Sequence, residues 1–165
     1  MENLWAPWRM TFIAPKTPQS QECIFCTQPA EHRDEKNHIL YRGERCYIML
    51  NRYPYNNGHL MIAPFQHVGT IEKLSAETLA ELMAQAQLAL KALRFAMKPD
   101  GFNMGINEGK IAGAGFADHM HLHIVPRWNG DTNFMPVIAE IKVMPEHLDI
   151  VYQQLKEAIA TVKDQ

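Results

Sequence analysis

Hydrophobic positions change period along this chain, and the changes mark out its elements. Residues 1–22 show no period: Pro, Trp, Thr and Gln are mixed without order, which predicts an arm laid over other structure. Residues 27–37 are polar and predict a loop or short helical turn. Short apolar runs follow at Ile39–Arg42, Arg45–Asn51 and His59–Ala63, separated by Gly43-Glu44 and by the Tyr53–Gly58 turn. Runs of this length between turn residues predict β-strands. From Ser75 the period lengthens, and Leu79, Leu82, Met83, Ala86, Leu90, Leu93 and Met97 fall on one helical face. Ser75 is the expected N-cap, and Pro99-Asp-Gly101 stops the helix. A strand is predicted over Phe102–Asn107, then a glycine-rich loop, Gly109–Gly115, and a last strand from His119 to Pro126. From Pro145 a second amphipathic helix turns Leu148, Val151, Tyr152, Leu155 and Ile159 inward.

Neighbouring strands joined by short turns predict an antiparallel sheet. The fold class is therefore α+β, with about five strands, one long central helix and a C-terminal helix. At 165 residues a single domain is expected. The formal charge of −2 gives no reason to expect nucleic acid or a membrane surface as partner. No apolar stretch reaches the ~18–20 residues of a membrane span, and no signal-peptide pattern opens the chain. Three cysteines do not make a secreted disulfide framework, so a cytoplasmic protein is expected.

The last strand changes the picture. In His119-Met-His121-Leu-His123-Ile, period two sends Met120, Leu122 and Ile124 to one face and three imidazoles to the other. Alternate strand residues lie ~6.5–7 Å apart, so two of these imidazoles can converge on one metal ion and all three do so only awkwardly. The other use is a nucleophile with flanking helpers, since neutral imidazole attacks phosphorus near pH 7. The glycine loop just upstream suits phosphate, because successive unhindered amides form an anion nest. Cys23-Ile-Phe-Cys26 has the spacing of half a zinc site, or of a redox pair.

Together these motifs resemble the histidine triad (HIT) superfamily of nucleotide hydrolases and transferases. The likeness rests on the triad itself, on Asn51-Arg-Tyr-Pro54 with Gly58-His59 and Leu60–Pro64, and on Asn107-Glu-Gly109. The Pro126-Arg-Trp-Asn-Gly-Asp131 tail and the opening Leu4-Trp-Ala-Pro-Trp-Arg are similar to the bacterial diadenosine tetraphosphate phosphorylase branch, close to the fragile histidine triad hydrolases. Its domain division would be an arm over 1–22, a HIT core over 23–135 and an extension with a helix over 136–165.

The resemblance implies a dinucleoside polyphosphate as substrate and His121 as the nucleophile that becomes nucleotidylated. His119 and His123 would flank it, and His59 would orient the imidazoles. Asn51 would meet the ribose and Asn107 the phosphate side. The amides of Gly115 and Phe116 would hold phosphoryl oxygens, and Trp128 would lie near the site, beside a second nucleoside or at a dimer seam. Related hydrolases carry glutamine where this chain has Gly115, which favours inorganic phosphate over water as acceptor. Hydrolysis by water, a nucleoside phosphoramidase, and a nucleotide sensor with little turnover are the alternatives. The same resemblance implies structural Zn2+ on Cys23, Cys26, His67 and His119, with no organic cofactor, and a homodimer. His32 and His38 are rival ligands read as solvated, and Cys46 is read as a buried apolar residue.

Overall fold

A computed structural model describes residues 22–132 and 146–163. The N-terminal arm with Trp5 and Trp8, and the start of the C-terminal extension, lie outside them. Three helices and five strands follow in the order α1 (Ile24–Ala30), β1 (Ile39–Arg42), β2 (Cys46–Leu50), β3 (Leu60–Pro64), α2 (Ala76–Met97), β4 (Gly101–Ile106), β5 (Leu122–Arg127) and α3 (Leu148–Lys163). The strands form one antiparallel sheet in the order β1-β2-β3-β5-β4, as the sequence predicts for an α+β chain. Among the described residues no helix is long and apolar enough to cross a membrane.

The sheet register decides which residues share a face. Leu50 pairs with Leu60 and Leu60 with Ile124; Ile48 pairs with Ile62 and Ile62 with Leu122. These rows form the main core with Leu82, Ala86, Ala89 and Leu93 of α2 and Val151, Leu155 and Ile159 of α3. The alternate row runs Met49, Met61, His123, Gly105 and faces the other way. There Phe25 of α1 closes a smaller cluster with Ile39, Tyr47, Met49, Met61 and Ala63. One side of the sheet is therefore sealed by the two long helices, and the other is left for a short helix and a cavity.

Local sequence explains the element ends. Ser75 Oγ accepts the Thr78 N–H at 3.2 Å, the expected N-cap, and Lys98 closes α2 in the left-handed conformation before Pro99. The buried face of α2 is the expected one at Leu79, Leu82, Ala86, Leu90, Leu93 and Met97, but not at Met83. Met83 is 54% exposed, whereas Thr78, Gln85, Ala89 and Ala92 are buried. Ala86, Ala89 and Ala92 of α2 share the core with Val151, Leu155 and Ile159 of α3. Helix α1 begins before the stretch expected to be a loop or short helical turn and takes up its first residues. The ladder of β5 also begins later than expected, at Leu122, so His119 and His121 precede it. Their alternation survives, because the Met120 N–H donates to the Val68 carbonyl at 2.7 Å and the Met120 side chain joins the core.

Candidate active site

His121 and His123 line a cavity of about 280 Å³, and His59 stands behind His123. Gly58, at φ +72°, turns the chain into β3 and leaves room for Met97 against its backbone; a Cβ there would lie 2.6 Å from Met97 Sδ. That turn delivers His59, which is fully buried behind His123. Met49 and Met61 pave the floor, and Ile24, Phe25 and Gln28 of α1 form one wall. Residues of the turn from Asn51 to Tyr55 also line the cavity, Arg52 among them exposed. Gly113, Gly115 and Phe116 close the remaining side, with His121 and His123 at its end.

Hydrogen-bond partners assign a different tautomer to each imidazole. Asn51 Oδ1 accepts the Tyr53 N–H at 2.9 Å, so its amide nitrogen is the group facing His59 Nδ1 at 3.3 Å. The Tyr55 N–H donates to that same Nδ1 at 3.0 Å. With two donors aimed at Nδ1, His59 carries its proton on Nε2 and donates it to His123 Nδ1, 3.0 Å away. Neutral His123 is thereby left with its proton on Nε2. His121 is set the other way. Its Nδ1–H donates to the His119 carbonyl at 2.8 Å, so its lone pair lies on Nε2. Burial holds the His121 pKa below its ordinary 6.5, against the opposing pull of that carbonyl, and so preserves the lone pair. A base and a proton donor thus stand side by side, with ring centroids 4.7 Å apart.

His119 faces away from this pair. Its Nε2–H donates to the Pro64 carbonyl at 2.8 Å, which turns an Nδ1 lone pair toward Cys23, Cys26 and His67. Burial lowers its pKa to about 4. His119 Nδ1 lies 3.3 Å from Cys23 Sγ, 3.5 Å from Cys26 Sγ and 3.3 Å from His67 Nδ1, and Cys26 Sγ lies 3.3 Å from His67 Nδ1. A tetrahedral zinc with two sulfur and two nitrogen ligands has edges of about 3.3–3.8 Å, so this donor set fits that ion. The carbonyl behind His119 is the kind of outer partner that fixes a ligating imidazole. Burial first, then the bond to Cys23, raises the Cys26 thiol to about 11, a cost that a divalent cation would reverse. The two cysteines form no disulfide.

Other expected residues are placed as follows. Asn51, Gly115 and Phe116 line the cavity, whereas Asn107 and Trp128 do not. Trp128 donates its indole N–H to the Met97 carbonyl at 3.3 Å and borders a separate hollow with Asn56, Asn57 and Glu146. Its place in the sequence, just after the triad strand, points to the site, but the end of β5 carries it past the cavity. Arg127 is held by Asp131 in a two-pronged ion pair. His32 is exposed, and His38 is bonded to Asp149 at 2.9 Å instead of being solvated; neither joins the cysteines. Cys46 is fully buried as expected, and burial raises its thiol to about 12. Sequence reasoning missed Phe25, Gln28, Met49, Met61 and Tyr55, although Phe25 stands between the two cysteines that drew attention.

The comparisons agree with this geometry. The HIT domain family matches residues 32–130. The AP-4-A phosphorylase of Mycobacterium tuberculosis is 39% identical over 155 residues, covering 90% of this chain and 79% of that protein. The adenosine 5'-monophosphoramidase of Schizosaccharomyces pombe is 26% identical over 64% of this chain and 76% of its own length. A zinc-bound histidine triad family protein from Mycobacterium smegmatis superposes with a TM-score of 0.70 at 27% identity, covering 88% of this chain and 99% of that one. On the match of family, fold and triad, the chain belongs to the HIT domain family and is an enzyme.

Proposed function

We propose that this protein cleaves dinucleoside polyphosphates such as diadenosine tetraphosphate through a nucleotidyl group held on His121, with inorganic phosphate as the acceptor. The observation that carries the reading is the pair of opposite tautomers at one end of the cavity, in a chain 39% identical to an AP-4-A phosphorylase. The Nε2 lone pair of His121 attacks the α-phosphorus, forming an N–P bond while the bond to the distal phosphate oxygen breaks. The His123 Nε2–H would protonate that oxygen as it leaves. Backbone amides at Gly115 and Phe116 stabilise the phosphoryl oxygens, Asn51 meets the ribose, and the base lies among Ile24, Met49 and Met61. Phosphate then attacks the nucleotidyl group, so that diadenosine tetraphosphate yields ATP and ADP.

Zinc on Cys23, Cys26, His67 and His119 would be structural, because four protein ligands leave no open coordination position. The chain acts as one domain, as a cytoplasmic homodimer. The relationship to an adenosine 5'-monophosphoramidase favours a second reading, in which water is the acceptor and a phosphoramidate the substrate. Product analysis separates them. Diadenosine tetraphosphate giving ADP and ATP only when phosphate is present is the expected result. AMP and ATP with or without phosphate would make the enzyme a hydrolase, and turnover of adenosine phosphoramidate alone would favour the second reading.

A further inference from the structure

Phe25 is enclosed on every side that matters. Its ring lies face to face with His121, centroids 4.5 Å apart and planes 26° from parallel. It tilts against His119 at 5.2 Å and meets Phe116 edge-on at 5.8 Å. Its carbonyl accepts the buried Tyr47 hydroxyl at 2.9 Å, which fixes the turn of α1 that carries it. Although it borders the cavity, only 1% of the residue is exposed and its ring face is covered by His121, which leaves little of it for a nucleotide base. Its partner is therefore the imidazole.

The charge on that imidazole changes during the proposed reaction. When the Nε2 lone pair of His121 forms the N–P bond, the electron pair of the breaking P–O bond leaves with the distal phosphate. The ring keeps its Nδ1 proton, held by the His119 carbonyl, and so becomes a cation. The face of an aromatic ring attracts a cation within ≈ 6 Å of its centroid. Before attack His121 is neutral and this attraction is weak; it grows as the N–P bond forms, which is what a group must do to speed a step.

Resting on the nucleophilic role proposed for His121, we infer that Phe25 is a positioning residue whose ring face stabilises the imidazolium formed on nucleotidylation. Together the stack and the Nδ1–H bond set the plane and direction of the imidazole. The segment between the two cysteines thus serves the reacting ring directly as well as anchoring a metal loop.

The test replaces Phe25 by mono-, di- and trifluorophenylalanine, which withdraw charge from the ring face while keeping its shape. The readouts are the single-turnover rate of nucleotidyl-protein formation, followed by mass spectrometry, together with AMP affinity and metal content. The rate is expected to fall stepwise along the series, by about 2- to 30-fold in all, with AMP affinity and metal content unchanged. A flat series, or a loss appearing only in AMP affinity, would overturn the inference and leave His121 as nucleophile. Absence of any nucleotidyl-protein with native Phe25 would overturn both the inference and the covalent mechanism beneath it.

Discussion

The two faces of the sheet are built from the same strands by opposite rules. Toward α2 and α3, Leu50, Leu60, Ile62 and Ile124 need only be apolar and of suitable volume, and their burial is non-directional. On the opposite face, His59, His119, His121 and His123 are buried too, yet each has an identified polar partner for at least one ring nitrogen. The first face supplies stability and tolerates exchange. The second spends burial on fixing protons in place, and a change of one atom there alters chemistry more than folding. Variants on each face should therefore separate the two properties.

The sharpest break is His121→Ala. It removes the lone pair from the cavity while leaving the helix-covered core intact, so turnover should fall by at least about 10³-fold. Circular dichroism should be unchanged, and AMP should still bind in calorimetry. Retained turnover would show that the two faces do not divide chemistry from stability in this way.

Cys26→Ser tests the corner where the functions meet. Metal content should fall from about one ion per chain to a small fraction. Tm should drop by on the order of 10 °C, as α1 loses its tie to His119. Elemental analysis and thermal melting check both.

Leu93→Ala is the mirror of the first variant. A fully buried leucine replaced by alanine costs about 2–5 kcal/mol, and denaturant unfolding should show that loss. The rate per folded molecule should stay within about twofold of the native enzyme's, since no atom of the cavity is touched.

The smallest effect is expected at Asp149→Asn, on the rim of the stable face. The bond from His38 is the main cause holding the Asp149 carboxyl below its ordinary 3.8. Its contribution is therefore present above pH 3.8 and lost as pH falls through the lowered value. The carboxylate is exposed, so the native and variant Tm should differ by only about 1–2 °C at neutral pH and converge in acid.

How much of this was legible in sequence followed the same division. The bounds of β1, the N-cap at Ser75 and the alternation of the triad are local patterns, and local patterns survive folding. Met83 is exposed because period alone does not separate buried from exposed positions at the edge of the α2 face. Helix α1 is only seven residues long and contains Pro29, too short to display a period. The tautomers of His59 and His123 depend on the Asn51–Tyr55 turn, and Trp128 is carried out of reach by the end of β5. Those relations exist only once the strands have paired.

The four sulfur and nitrogen donors also bear on the order of assembly. Cys26 and His67 are 41 residues apart, His67 and His119 are 52 apart, and Cys23 and His119 are 96 apart. Closing such loops before the sheet exists would be entropically unfavourable, so the cluster is expected to form late, after the β2–β3 hairpin and its pairing with β5. Interactions made after the transition state leave the folding rate alone and slow unfolding instead. An ion held by these donors would act as a kinetic latch, prolonging the life of the native fold without hastening its formation.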